Sequence, residues 1–285
     1  MKKRVLACTM AAMMVVSLAA CGQAADTGAD AAKAATEEAA GDAAVETVER
    51  SSLTVGFDAE FPPYGYKDES GEYVGFDLDL AAEVCERKGW ELVKQPIDWD
   101  AKDMELSAGT IDCIWNGFTM NGREGQYEFS VPYVDNSQVF VVAADSGISA
   151  KADLAGKVVG VQKESSALAA LEDEANADLM NSFSALNQYA DYNTAFMDLE
   201  AGAIDALAMD IGVANYNISQ KGDGFVVLDE QLASEQYAIG FLLGNTALKD
   251  EVEAVLLEMA EDGTFMEIAE KYADFGLVDS VCLGK

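Results

Sequence analysis

The sequence contains no histidine. That removes Ser-His-Asp and Cys-His catalysis, His-ligated zinc or haem, and imidazole general bases. Cations are scarce as well. Eighteen Lys and Arg stand against 51 Asp and Glu, a formal net charge of −33. With no clustered Lys and Arg to neutralise phosphate, no nucleic-acid partner is expected. Any enzyme built on this chain would have to work with carboxylates, Lys, Tyr or Cys. What is present is apolar bulk. Half of the 285 residues are hydrophobic, enough for a sizeable core and about two domains' worth of chain.

The N-terminus reads as a targeting segment. Lys2, Lys3 and Arg4 precede a mostly apolar stretch, residues 5–18, which is short for a bilayer span and suits a signal peptide. Leu18-Ala19-Ala20-Cys21-Gly22 resembles a bacterial lipobox. Residues 1–20 are therefore expected to be a lipoprotein signal peptide, with Cys21 the lipidated residue that holds the protein to the membrane. Without residues 1–20 the chain keeps 15 basic and 51 acidic residues, a net of −36. Residues 21–50 follow as an acidic, Ala-rich tether without aromatic residues. A flexible coil of that length reaches roughly 30 Å. Cys85 and Cys113 fall at apolar positions and read as buried thiols, while a bridge from Cys282 stays open.

An internal echo organises the rest. Residues 104–114, Met-Glu-Leu-Ser-Ala-Gly-Thr-Ile-Asp-Cys-Ile, return at 197–207 as Met-Asp-Leu-Glu-Ala-Gly-Ala-Ile-Asp-Ala-Leu. Each copy reads as a helix end, a Gly, then a short buried strand. A weaker echo joins 53–57 to 157–161. Strand, loop, helix and strand thus occur twice in the same order, which predicts two similar α/β lobes. Asp77 is expected to cap a helix with Leu80, Ala81, Val84 and Cys85 on its apolar face. Asp77-Leu78-Asp79 lacks the spacing of a calcium loop and reads as that cap plus a solvated acid. Late helices are expected over Leu248–Met259 and, capped by Thr264, over Phe265–Tyr272.

Ligands of α/β lobes bind outside the carboxyl ends of the strands. The loops expected there carry chemistry. Asp58-Ala59-Glu60-Phe61-Pro62-Pro63-Tyr64 joins acid to aromatic faces. Asn116–Arg123 brings polar groups and one Arg. Near Ser166 a helix start turns out free N–H groups. The strand over 204–209 ends at Asp210, a carboxylate with no neighbouring base. An anion site, a cation site and aromatic walls in one cleft match the charge pattern of a free amino acid.

These segments, with Gly75-Phe76-Asp77-Leu78-Asp79-Leu80-Ala81, Phe129-Ser130-Val131-Pro132-Tyr133 and Asp262-Gly263-Thr264, resemble family 3 of the bacterial solute-binding proteins, which serve polar amino-acid ABC importers. The likeness runs from Leu53 to Phe275. It implies a type II two-lobed periplasmic-binding-protein fold, with residues 51–135 plus 236–285 as lobe 1, residues 136–235 as lobe 2, and two crossover hinge strands. It implies that Arg123 pairs with the ligand's α-carboxylate, helped by Ser166. Asp210, the Gly117 carbonyl and Thr119 would hold the α-ammonium. Phe61 and Trp99 would sandwich the side chain, and Asp58 would meet its polar end. The implied role is capture of a polar or cationic L-amino acid by a membrane-anchored or periplasmic monomer, and delivery to an ABC permease, with no cofactor, metal or catalytic residue. Two departures stand out. The loop from Thr119 to Arg123 is one residue short, and Glu164 stands where the family often has Gly. Trp115 reads as core or as pocket floor. The rivals are a dehydratase-type enzyme on the same fold, with Glu60 or Glu164 as acid, and an amino-acid sensor. The chain's end at Lys285, with no signalling domain, is read against the sensor.

Overall fold

The computed structural model describes residues 50–284. The expected signal peptide, the Cys21 lipidation site and the tether up to residue 49 lie outside them.

Strands and helices alternate along the chain. The first part holds β1 (Ser52–Phe57), β2 (Glu60–Phe61), β3 (Gly65–Lys67), β4 (Tyr73–Val74), helix α1 (Phe76–Lys88), β5 (Glu91–Pro96), α2 (Lys102–Ala108), β6 (Cys113–Ile114) and β7 (Tyr127–Phe129). There follow β8 (Val134–Ala143), β9 (Val158–Gln162), α3 (Ser166–Glu172), α4 (Ala177–Ser182), β10 (Ala185–Tyr189), α5 (Tyr192–Glu200), β11 (Ala206–Asp210), α6 (Ile211–Lys221), β12 (Phe225–Val227) and β13 (Ala233–Tyr237). The chain closes with β14 (Gly240–Leu242), α7 (Thr246–Asp262), α8 (Thr264–Glu270) and α9 (Leu277–Ser280).

Two main sheets result. One has the order β5-β1-β6-β14-β7, the other β10-β9-β11-β8-β12 with β13 on β8. The repeat is real in three dimensions. β1 lies parallel between β5 and β6, and β9 lies parallel between β10 and β11. The echoed residues do the same work in each copy. Asp112 accepts from the Thr54 N–H at 2.7 Å, and Asp205 accepts from the Val158 N–H at 2.8 Å. Ile111 and Ile204 each lie over a glycine of the central strand, Gly56 and Gly160, where an added Cβ would meet the Ile Cδ1 at 2.5 Å. Close strand-to-side-chain approach therefore requires Gly at both places. Gly109 and Gly202 end their helices at φ 72° and 70°, the left-handed conformation that glycine adopts freely.

β8 and β13 are antiparallel partners, from Val134 opposite Tyr237 to Gln138 opposite Ala233. The chain thus leaves the first sheet and returns to it along one paired ribbon. Apolar cores fill both sheets; α1, α7 and α8 bury Leu80, Val84, Val252, Leu256, Met259 and Phe265 against the first. The apolar spacing read in the sequence is the cause. Trp115 is fully buried in this core. Cys85 and Cys113 are buried thiols. No described helix is long and apolar enough to cross a membrane.

Two capping expectations need correction. Asp77 does not cap α1. Gly75 occupies that position at φ 142°, and a Cβ there would come within 2.2 Å of the Tyr64 carbonyl oxygen. Asp77 instead sits fully buried inside the first turn. Thr264 is the first residue of α8 rather than its cap, and its hydroxyl accepts from Arg87 Nη2 at 2.9 Å. Asp79, expected to be solvated, pairs with Lys271 at 3.1 Å.

Candidate functional site

A narrow cleft opens between the strand ends of the two sheets. It is lined by Phe61, Trp99, Gly117, Thr119 and Arg123 from the segments around the first sheet, and by Ser166 and Asp210 from those around the second. Seven of the eight residues singled out in the sequence therefore meet in one place. Asp58 does not line this cavity. It lines a larger, adjoining cleft together with Glu60, Trp99 and Asp191.

The wall formed by the first sheet is built on Gly117, just beyond β6. Its φ is 57°, and a Cβ would press on Tyr237 at 2.9 Å and Phe61 at 3.0 Å. Only glycine fits both demands. Asp77 reaches across from α1 to fix this turn. Its Oδ2 accepts from the Gly117 N–H at 2.6 Å and from the Tyr133 hydroxyl at 2.9 Å, while Oδ1 has no partner. Burial raises the Asp77 carboxyl to about 7, against the pull of those two donors. The sequence reading missed this role, because a carboxylate in the first turn of a helix also looks like a cap.

Arg123 lies half-buried on the same wall. Its guanidinium stands 4.9 Å over the Phe118 ring and donates to the carbonyls of Thr119 at 3.0 Å and Glu164 at 3.4 Å. Arg50 and Arg87 each have carboxylate partners, whereas Arg123 has none among the described residues. A guanidinium held in place by carbonyls keeps its forked donors ready for an incoming carboxylate. Lys102, nearly fully buried, lies 5.3 Å from the Trp99 ring centre, and burial lowers its ammonium's pKa.

The opposite wall is acidic. Asp210 ends β11, and its Oδ1 accepts from Tyr237 at 2.5 Å, Gln138 at 2.6 Å and Asn136 at 2.9 Å. Glu235 stands close by on β13. Its Oε1 accepts from Thr119, Asn136 and Gln138, each at 2.8 Å, and from Ser166 at 3.2 Å. Burial and the neighbouring Glu235 charge push the Asp210 carboxyl well above the usual carboxylate range. Two buried acids this close favour a cation between the walls.

Three further lining residues were not named as ligand contacts beforehand: Asn116, Gln162 and Ser165. Ser165 is the N-cap of α3, accepting from the Leu168 N–H at 3.1 Å and donating to the Gln162 carbonyl at 2.8 Å. Glu164 points its carboxylate to solvent, and its φ of 52° is the conformation that the family's Gly would take without strain. Gln138, Asn136 and Glu235 were missed because they sit on the ribbon strands. The available signal was a polar residue, Gln138, directly before the apolar run Val139–Val142.

Two α/β lobes sharing a strand ribbon and closing on a charged cavity define a type II periplasmic-binding-protein fold. The comparisons with known proteins agree. The model for bacterial extracellular solute-binding proteins, family 3, matches residues 53–275, and the chain belongs to that family. It is 28% identical over 227 residues to the L-cystine-binding protein TcyJ of Escherichia coli, covering 79% of this chain and 83% of the relative. It is 30% identical over 234 residues to the histidine-binding periplasmic protein of Salmonella typhimurium, covering 78% and 88%. Among solved structures, an ABC uptake transporter substrate-binding protein from Streptococcus pneumoniae with bound histidine shares 38% identity at a TM-score of 0.74, covering 78% and 92%. An ancestral arginine-binding protein bound to arginine shares 35% identity at a TM-score of 0.72, covering 79% and 99%.

Proposed function

We propose that this protein captures a free L-amino acid in the cavity and hands it to an ABC permease, without covalent chemistry. The observation that carries this reading is that Arg123, without a carboxylate partner among the described residues, and the buried Asp210 line the same cleft. Arg123 takes the α-carboxylate bidentately, aided by Ser166. Asp210, with the Gly117 carbonyl and Thr119, takes the α-ammonium. Phe61 and Trp99 face the side chain. The relatives' names, which specify cystine and histidine, support an amino-acid ligand of polar or cationic type. Isothermal titration with the twenty amino acids tests the reading. Micromolar or tighter binding of at least one is expected, and binding of none refutes it.

In this reading the moving bodies are residues 51–135 with 236–285 and residues 136–235. Closure strips water from the ligand's charges and so strengthens their pairing. Cys21 carries the lipid, and the tether keeps a monomeric body near the outer face of the membrane. The Cys21→Ser protein should then appear in the soluble exported fraction. If it stays with the membrane, the anchor assignment fails.

A further inference from the structure

One carboxylate oxygen of Glu235 gathers hydrogen bonds from both sides of the cleft. Its Oε1 accepts from Thr119 beyond β6, from Ser166 at the start of α3, and from Asn136 and Gln138 on β8. The same two amide nitrogens also donate to Asp210 Oδ1, at 2.9 and 2.6 Å. Sharing both nitrogens sets the two carboxylates side by side. Asp210 and Glu235 are 3% and 8% exposed, and no Lys or Arg pairs with either among the described residues. The cluster is short of hydrogens. Each amide nitrogen has two, one for each acid. Tyr237 gives its hydroxyl hydrogen to Asp210, and Thr119 and Ser166 give theirs to Glu235. The amide oxygens of Asn136 and Gln138 are buried and receive none. Two negative charges thus lie out of water among surplus acceptors. The elements packed around them bring little to offset that charge. β8 supplies amides, α3 the Ser166 hydroxyl, and the first turn of α6, residues 211–214, is uncharged. The phenols of Tyr64, Tyr192 and Tyr237 are fully buried, and burial with the Asp210 charge keeps their protons on. Arg123 lines the same cleft, but its hydrogen bonds go to carbonyls.

We infer that Asp210 and Glu235 share one proton in the ligand-free protein and that the ligand's ammonium group replaces it, so that binding expels a proton to solvent. Glu235 is not among the residues lining the cleft with Arg123 and Asp210. It is a positioning residue, acting through Asp210, Thr119 and Ser166. This rests on the amino-acid reading above and adds a proton exchange to it. Two carboxylates this close do not both ionise readily without a cation between or beside them. An ammonium group is such a cation, and it brings three hydrogens to a cluster that lacks them. Linkage fixes the sign. The free protein holds a proton that the complex has lost, so affinity is full above the range where the pair titrates and declines as pH falls through it. Burial and the Glu235 charge raise the Asp210 carboxyl above the usual carboxylate range, which moves that decline up toward neutral pH.

Calorimetry of the full chain with the tightest-binding of the twenty amino acids tests this. Titrations near pH 6.5, roughly the middle of the expected range, in buffers of different ionisation enthalpy report the protons released. The wild type should release about half to one proton per ligand, and its Kd should weaken about tenfold or more between roughly pH 7.5 and 5.5. Glu235→Gln removes the like charge beside Asp210. Its proton release should drop by about half or more, and its Kd should change no more than about threefold over the same range. Protons that belong to the ligand or to other carboxyl groups are common to both proteins and cancel in the comparison. If Glu235 only shaped the cleft, the Gln variant would lose affinity equally at every pH and release as many protons as the wild type. Should the Gln variant bind nothing, infrared difference spectra of the wild type are read instead. A protonated-carboxyl band lost on ligand addition then supports the exchange, and no loss overturns it. The inference is overturned by a wild type that binds without releasing protons, or by release undiminished in the Gln variant. Binding of none of the twenty amino acids to the wild type would bring down the amino-acid reading itself. Binding without proton release brings down this inference alone.

Discussion

The Arg123 guanidinium, with no carboxylate partner among the described residues, over a ring and held by two carbonyls, is poised for a partner that arrives from solution. Arg123→Ala should weaken the best amino-acid ligand at least about a hundredfold, since it strands a desolvated carboxylate. Arg123→Lys should fail nearly as badly, because an ammonium cannot present the planar fork. Calorimetry reads both, and a wild-type Kd in either would place the carboxylate elsewhere. Asp77 makes a different prediction. Its carboxyl titrates near 7 in the folded protein, against 3.8 ordinarily. Between those values the folded state holds a proton that the unfolded chain has released, so stability falls as pH rises from about 4 to about 7. Asp58, raised to about 6, acts in the same direction over the lower part of that window. Asp77→Asn should lose less stability than the wild type between pH 4.5 and 7.5, by roughly 1–4 kcal/mol, measured by urea unfolding. An unchanged pH dependence would show that Asp77 does not hold its proton.

At the scale of elements, the two echoed helix–Gly–strand units were legible because each of their residues answers a local demand. Gly ends the helix, Ile covers the neighbouring strand's glycine, and Asp ties down that strand's amide. Arg123 and Asp210 were legible for a related reason: each follows a buried strand, where α/β lobes expose their loops. The rest depended on contacts between distant segments. Glu235 matters because β13 pairs with β8 and brings it within reach of Thr119 and Ser166. No local pattern marks that. Asp77 and Thr264 were misread because a glycine just before each helix takes the cap position that their own side chains could have filled. Glu164 offers a check on the loop before α3. Its left-handed backbone costs a non-glycine residue about 1 kcal/mol, and its side chain is exposed. Glu164→Gly should therefore leave the fold as stable or raise stability by about 0.5–1 kcal/mol, read by denaturant midpoint. A loss of more than about 1 kcal/mol would mean that the loop geometry is otherwise.

For the molecule as a whole, the ribbon of β8 and β13 has the character of a hinge: it is the path by which the chain passes between sheets, and the buried acids Asp210 and Glu235 hang on it. One more consequence follows from the sheet order. β14, residues 240–242, lies between β6 and β7, residues 113–114 and 127–129. β7 reaches its sheet only through β14. The second sheet, by contrast, uses one unbroken stretch from Val134 to Tyr237. Closing a loop of that size is entropically slow compared with pairing β9, β10 and β11 among themselves. Pulse-labelled hydrogen exchange during refolding should protect amides of β9 and β11 before those of β6 and β7; simultaneous protection would count against it. The half of the protein that leaves the ribosome first is then the half that is finished last, waiting unsealed until its missing strand arrives from the far end of the chain.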